Sequence, residues 1–320
     1  GVKLAESLRV SSVFADPLVI KDKIITSEKL AELLNQDVGS IYKLLNKKKR
    51  FVWIKRKLTD IEEIGINRLK LNGVYTKYEY ERLYPNDELL SHVIGITDID
   101  GNGIDGVELV FNDVLKGEKG YLIVERDGLQ RQIVNINSSG KQPNDGAGIM
   151  LTIDSVIQRH VEDEIEDAFQ KRRPLSITAV VLDTSTGEIL AMANRPTFNP
   201  NKFKDYPADS RRNRTITDCY EPGSIMKPVI AGVLFNHNLA KPEDEIFCHN
   251  GAYQMGSRVL HDTHDYGLLT VSDIIVKSSN IGIAQLAKRI SNENLYNYLK
   301  DIKFGEKLDV MLPGETGGIL

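Results

Sequence analysis

Apolar and polar positions alternate along this chain at two spacings, and the changes of spacing outline its elements. A half-alternating stretch around Ser12, Val13, Phe14, Ala15 and Asp16 reads as a strand. Ser27, followed by Leu30, Leu33 and Leu34 on one face, predicts a capped helix from Ser27 to Asn35. A second helix is predicted from Gly39 to Leu45, and it runs into the basic stretch Lys47, Lys48, Lys49, Arg50. That stretch leads at once into Phe51, Val52, Trp53 and Ile54, so it reads as a solvated loop rather than a phosphate or lipid-headgroup patch. Residues 1 to 148 are thus expected to be β-rich with scattered helices. The polar, glycine-rich stretch Asn135 to Gly148 (NINSSGKQPNDGAG) breaks the pattern and predicts a boundary between a first domain, 1–148, and a second, 149–320.

The second domain opens with a long helix capped by Asp154 or Ser155. Val156, Ile157, His160, Val161, Ile165, Ala168 and Phe169 recur at spacings of three and four, so His160 is expected among packed residues. Two apolar runs, Ile177–Leu182 and Glu188–Ala193, flank the turn DTSTG and predict a hairpin. After a polar loop from Asn194 to Tyr220, helices are expected over Lys227–Asn236, Val271–Lys277, Ile281–Ile290 and Asn294–Asp301. One hairpin among so many helices is a marginal sheet. The expectation is an α+β fold whose sheet gains further strands beyond Leu320.

Composition changes this picture little. The 320 residues are 41% apolar and carry a net charge of -4, which is the balance of an ordinary folded domain and argues against nucleic acid as a partner. Two cysteines, Cys219 and Cys248, are too few for a disulfide framework. No window approaches the roughly 18 consecutive apolar residues of a membrane span.

The candidate chemistry centres on Ser224 and Lys227 in EPGSIMKP. At i and i+3 on a helix they share a face, and a serine hydroxyl needs a neighbouring base to become a nucleophile. Pro228, which lacks an N–H, places the helix start near Ser224, so that free backbone N–H groups gather at a developing oxyanion. Lysine serves as the base only where burial lowers its pKa. Alone, the pair is a weak signal and reads more readily as a capped helix with an exposed lysine. Ser278, Ser279 and Asn280, between two predicted helices, add polar groups to the same chemistry, with Ser279 or Asn280 also suited to cap the helix that follows.

Other clusters are weaker. DIDGNGIDGVE begins like a calcium loop at Asp98, but its twelfth position is Leu109 and Glu108 is out of register, so it reads as a turn. His261, Asp262, His264 and Asp265, with Cys248 and His249 upstream, match no standard zinc spacing, and no metal or cofactor is expected. Glu221 reads as a loop anchor near Ser224.

Taken in order, SSVFADPLVI, RLYPNDELLSHVIGITDIDGNGIDGVELVFNDVLKGEKG, LTIDSVIQ, AVVLDTSTGEILAMANRPTFNPN, RNRTITDCYEPGSIMKP, CHNGAY, HDTHDYGLLT, KSSNIGIAQLAK and LPGE resemble the class B penicillin-binding proteins, especially the FtsI-like septal transpeptidases. The resemblance covers nearly the whole chain. It implies a penicillin-binding-protein and serine β-lactamase-like transpeptidase domain behind a β-rich pedestal. It further implies that Ser224 attacks a D-Ala-D-Ala stem peptide and that Lys227 takes its proton. Ser278 and Asn280 would relay protons and hold the substrate amide, and the Ser224 N–H would provide half of the oxyanion hole. β-Lactam antibiotics would acylate the same serine.

The implied setting is the outer face of the cytoplasmic membrane, with an N-terminal membrane anchor outside these residues and an FtsW-type glycosyltransferase and other divisome membrane proteins as partners. Ile225 and Met226 depart from the family's more frequent small residue and Phe. No Lys-Thr-Gly or Lys-Ser-Gly triplet follows Asn280, so the resemblance also implies a chain truncated before that motif. Two other readings stay open: a catalytically incomplete scaffold or binding fragment, and a β-lactamase or β-lactam sensor, which would lack the pedestal.

Overall fold

The computed structural model describes residues 1–123, 125–126, 132–133 and 140–320. Two compact units emerge, residues 1–215 with 311–313 and residues 216–310 with 314–320.

In the first unit, β1 (Glu6–Ala15) is the middle strand of an antiparallel sheet. It lies between β2 (Val52–Lys55) and β3 (Val74–Leu83), with Val13 opposite both Lys55 and Thr76. Helices α1 (Lys23–Leu34), α2 (Val38–Leu45) and α3 (Asp60–Leu69) share the sheet's core. Leu30, Ala31, Leu34, Ile41, Leu45 and Ile66 from the helices meet Val13, Ala15, Val52 and Ile54 from the strands.

Helix α1 starts four residues before the position its apolar spacing predicts. Asp22 accepts the Ile25 N–H at 3.0 Å and caps it, whereas Ser27 is buried and donates its hydroxyl to the Ile24 carbonyl at 2.8 Å. The basic run 47–50 is exposed.

Short helices α4 (Ser91–Ile94), α5 (Gly106–Val110) and α6 (Asn112–Leu115) follow. The Asp98 carboxylate accepts from the backbone N–H groups of Asp100 and Asn102 and from the Asn102 amide, which makes the segment a turn. Glu108 is buried and accepts from Arg82 Nε at 2.7 Å. Strand β4 (Tyr121–Leu122) pairs with β7 (Gly140–Lys141), and β5 (Glu125–Arg126) pairs with β6 (Gln132–Ile133). Within the stretch 135–148 that sequence marks as a boundary, residues 135–139 lie outside the described residues. The remainder contains β7 and a bridge from Asn144 to Glu118.

Helix α7 (Ser155–Arg172) is capped by Asp154 and lies on the hairpin of β8 (Ile177–Leu182) and β9 (Ile189–Arg195). Its buried residues are Gln158, Glu162 and Ile165, and His160 is exposed, contrary to the apolar pattern. The reason is polar pairing. Gln158 accepts the Met192 N–H at 2.8 Å and donates to the Met192 carbonyl at 3.0 Å, while Glu162 accepts from the Leu90 N–H at 2.8 Å and from Gln158 at 2.7 Å. Polar side chains can face inward once each donor and acceptor is met. Turns of 3-10 helix at 200–205 and 208–211 lead to α8 (Arg214–Thr217).

The second unit is built on α9 (Met226–Asn236), α10 (Val271–Val276), α11 (Asn280–Ala287) and α12 (Asn292–Asp301). These helices start within two residues of the positions read from sequence. Two antiparallel ribbons were not expected: β10 (Glu245–Phe247) with β13 (Leu268–Thr270), and β11 (Ala252–Met255) with β12 (Arg258–His261). Strands of three or four residues are too short to display an alternation. Val233, Leu234, Cys248, Leu269, Val271, Ile274, Ile281 and Leu286 form the core beneath them.

Candidate active site

A 3-10 turn, Gly223–Ile225, runs directly into α9, with Ile225 already in helical conformation and no side chain capping the start. Gly223 has φ +61°, a backbone conformation that glycine adopts without steric cost. Ser224 is exposed within this first turn, where backbone N–H groups lack intrahelical partners. Its hydroxyl makes no hydrogen bond to the described residues.

Lys227, one turn later, is 6% exposed. Its Nζ donates to the Ser278 carbonyl at 2.5 Å, to Ser278 Oγ at 2.9 Å and to Asn280 Oδ1 at 2.7 Å. These three acceptors match the three N–H donors of an ammonium. Burial lowers the Lys227 pKa below the ordinary ammonium range, and the negative charge of Asp262 opposes that shift.

The loop carrying the acceptors is shaped by its ends. Ser278 ends α10 with its N–H on the Ile275 carbonyl and φ +55°, a left-handed conformation uncommon for serine. That turn directs both its carbonyl and its hydroxyl to Lys227. Ser279 is buried and caps α11 by accepting the Gly282 N–H at 2.8 Å, the capping role that sequence allowed to it or to Asn280. Asn280 donates Nδ2 to the His261 carbonyl at 3.0 Å, which leaves its Oδ1 for Lys227.

Of the four residues singled out by sequence, the structure therefore gathers Lys227, Ser278 and Asn280 around one amine. Ser224 stands a turn earlier on the same helical run, without a hydrogen bond to them. Glu221 is exposed and forms no hydrogen bond with the described residues, so it does not anchor the loop.

The residue that sequence reasoning did not place is Asp262. Both of its carboxylate oxygens are engaged: Oδ2 with the Ser279 hydroxyl at 2.6 Å, and Oδ1 with the N–H groups of Asn280 at 2.5 Å and Ile281 at 3.1 Å. His249 Nε2 lies 3.0 Å from the Gln285 amide. Among the described residues no three His, Cys, Asp or Glu side chains gather as metal ligands, and both cysteines are free thiols. The recurrence of Asp and His in HDTHD, which matches no standard ligand spacing, is the signal that sequence offers for this residue, and it does not mark a loop anchor.

Known proteins resemble the chain over both of its halves. The family described as "Penicillin-binding Protein dimerisation domain" matches residues 1–151, and that described as "Penicillin binding protein transpeptidase domain" matches residues 177–320. The chain is 37% identical over 325 residues to a probable peptidoglycan D,D-transpeptidase PenA of Neisseria meningitidis, covering 100% of this chain and 55% of that protein. It is 32% identical over 326 residues to the peptidoglycan D,D-transpeptidase FtsI of Escherichia coli K12, with the same coverage of both. Stage V sporulation protein D of Bacillus subtilis is 33% identical over 326 residues, covering 100% of this chain and 50% of that protein. A crystal structure of a peptidoglycan synthetase from Bifidobacterium adolescentis superposes with a TM-score of 0.72 at 25% identity, over 99% of this chain and 63% of that one.

A dimerisation domain followed by a transpeptidase domain of helices and antiparallel sheets defines the class. The chain belongs to the penicillin-binding proteins, on the class B branch of its FtsI, PenA and sporulation relatives. It spans about half the length of these curated relatives.

Proposed function

We propose that this chain carries the serine and lysine of a peptidoglycan D,D-transpeptidase that cross-links stem peptides during cell division. One observation above all supports the reading. The buried amine of Lys227, a turn after Ser224, sits 2.9 Å from Ser278 Oγ and 2.7 Å from Asn280 Oδ1.

In this reading the neutral Lys227 amine takes the Ser224 proton as Oγ bonds to the carbonyl carbon of the penultimate D-alanine. The resulting oxyanion meets the free Ser224 N–H at the helix start. Collapse breaks the peptide bond, and the departing D-alanine nitrogen receives the proton from Lys227 through the Ser278 hydroxyl. The amine of a second stem peptide then attacks the ester, releasing Ser224 and forming the cross-link. Asn280, held between the His261 carbonyl and Lys227, positions the substrate amide.

A β-lactam presents the same reacting carbonyl and stops the cycle at the ester. The septal assignment is supported by the FtsI relative, and a location outside the cytoplasm and an FtsW-type partner belong to the same proposal. Among the described residues no helix is long and apolar enough to cross a membrane. We further propose functional domains at 1–148 and 149–320, a division supported by the family match to residues 1–151.

The test is labelling of the protein, expressed from its complete reading frame, with a fluorescent penicillin. Covalent label that a D-Ala-D-Ala peptide competes away is expected. Absence of label refutes the reading.

A further inference from the structure

We infer that Asp262 is a positioning residue for acyl transfer, holding the Ser278–Asn280 loop in the one arrangement that points its acceptors at Lys227. The inference rests on the transpeptidase reading above and assigns a role to a residue outside the serine, lysine and loop side chains already described.

Three donors from three consecutive residues converge on this one carboxylate: the Ser279 hydroxyl at 2.6 Å, the Asn280 N–H at 2.5 Å and the Ile281 N–H at 3.1 Å. Hydrogen bonds to a charged acceptor are roughly twice as strong as neutral ones. Asp262 is itself fixed from behind, because its own N–H donates to the Gly251 carbonyl at 3.1 Å at the end of β12. The same strand end supplies the His261 carbonyl that takes Asn280 Nδ2. The ribbon thus grips the loop at its Ser279 hydroxyl, at its Asn280 backbone and at its Asn280 amide.

The grip matters because the loop stands in a conformation that serine does not favour. Ser278 at φ +55° is held only while the surrounding structure determines it. Without the anchor, the Ser278 carbonyl and hydroxyl and the Asn280 Oδ1 would no longer share one focus. Lys227 would keep its burial and lose its alignment. Asp262 touches neither Ser224 nor the substrate in this scheme; it acts through Ser279 and Asn280.

Saturation kinetics of penicillin acylation test the inference on the protein expressed from its complete reading frame, as wild type, Asp262→Asn and Ser279→Ala. Asp262→Asn keeps the shape and turns acceptor capacity into a donor facing three donors. The limiting acylation rate is expected to fall on the order of a hundredfold, the scale of a 1 Å misplacement in a catalytic site, while the non-covalent binding constant stays within about threefold. Ser279→Ala, which removes one of the three donors and leaves the carboxylate, is expected to show a smaller loss of the same kind.

An Asp262→Asn protein acylating at the wild-type rate overturns the inference. So does a loss expressed equally in rate and binding together with a lowered melting temperature in both variants, which would mark the carboxylate as fold support alone. A wild-type protein that is not acylated at all overturns the transpeptidase reading itself, and the inference with it.

Discussion

Lys227 reaches Ser278 twice, once at the backbone carbonyl at 2.5 Å and once at the hydroxyl at 2.9 Å. A residue bonded through both its main chain and its side chain to the same amine is fixed in rotation as well as in position. This explains why Ser278 occupies a left-handed conformation: an extended serine would present one of these oxygens and turn away the other.

Replacing Lys227 by alanine removes the base and leaves three acceptors without their donor. Penicillin acylation is expected to slow by roughly 10²- to 10⁴-fold, the range for loss of a general base. Arginine is expected to fail almost as completely, since a guanidinium does not release its proton in this pH range. Rate constants from stopped-flow fluorescence quenching check both. An arginine variant with near wild-type rates would remove lysine from the mechanism.

The pH profile carries the sign of the same argument. Only neutral Lys227 accepts a proton, so acylation rises with pH as the amine deprotonates. Burial holds its pKa below the ordinary ammonium range, so the rising limb is expected at lower pH than for an exposed lysine. A second-order acylation rate measured against pH, with the protein folded throughout, shows the limb. A limb at the ordinary lysine pKa would contradict the burial assigned here.

His92 governs a pH effect on stability in the first unit. It is buried against Phe198, with Nε2 donating to the Ser210 carbonyl at 2.9 Å, and burial pushes its pKa down to about 4. In the unfolded chain a histidine takes up a proton near pH 6.5, about 2.5 units earlier. Stability is therefore complete above about pH 6.5 and declines as the pH falls toward 4, by about 3 kcal/mol. Thermal unfolding between pH 4 and 7 is expected to show the decline, and His92→Gln to flatten that part of it. An equal pH dependence in the variant would assign the effect to carboxylates.

Gly282 of α11 packs against Ile274 of α10. A Cβ there would lie 2.5 Å from Ile274 Cγ1, 2.7 Å from its Cδ1 and 3.0 Å from the Ser279 hydroxyl. Ile274 is fully buried and has little room to yield. Gly282→Ala is expected to cost about 1 to 3 kcal/mol, the usual penalty of overpacking, and to slow acylation by shifting Ser279. Urea unfolding and acylation rates read the two effects, and an unchanged value of both would contradict the packing.

Much of this arrangement was legible in the sequence because it rests on local rules. Helix starts in the second unit follow from caps and Pro228, and the hairpin of β8 and β9 follows from the two apolar runs that flank DTSTG. The expected cap at Ser27 lost to Asp22, which sits at the true first turn, and nothing in the apolar spacing distinguishes the two. Gln158 and Glu162 were invisible for another reason, since their burial depends on Met192 and Leu90, which are distant in sequence. Asp262 belongs to the same kind: its partners lie 17 to 19 residues onward, across β13 and α10. A turn that long carries no periodic signal.

The central claim is that Ser224 is the nucleophile served by Lys227. Intact-mass analysis of the protein expressed from its complete reading frame, after incubation with a penicillin, tests it most directly. The account predicts one covalent adduct of the antibiotic's full mass on a peptide containing Ser224, and none on the Ser224→Ala variant. An adduct on the alanine variant, or none on the unsubstituted protein, would contradict it.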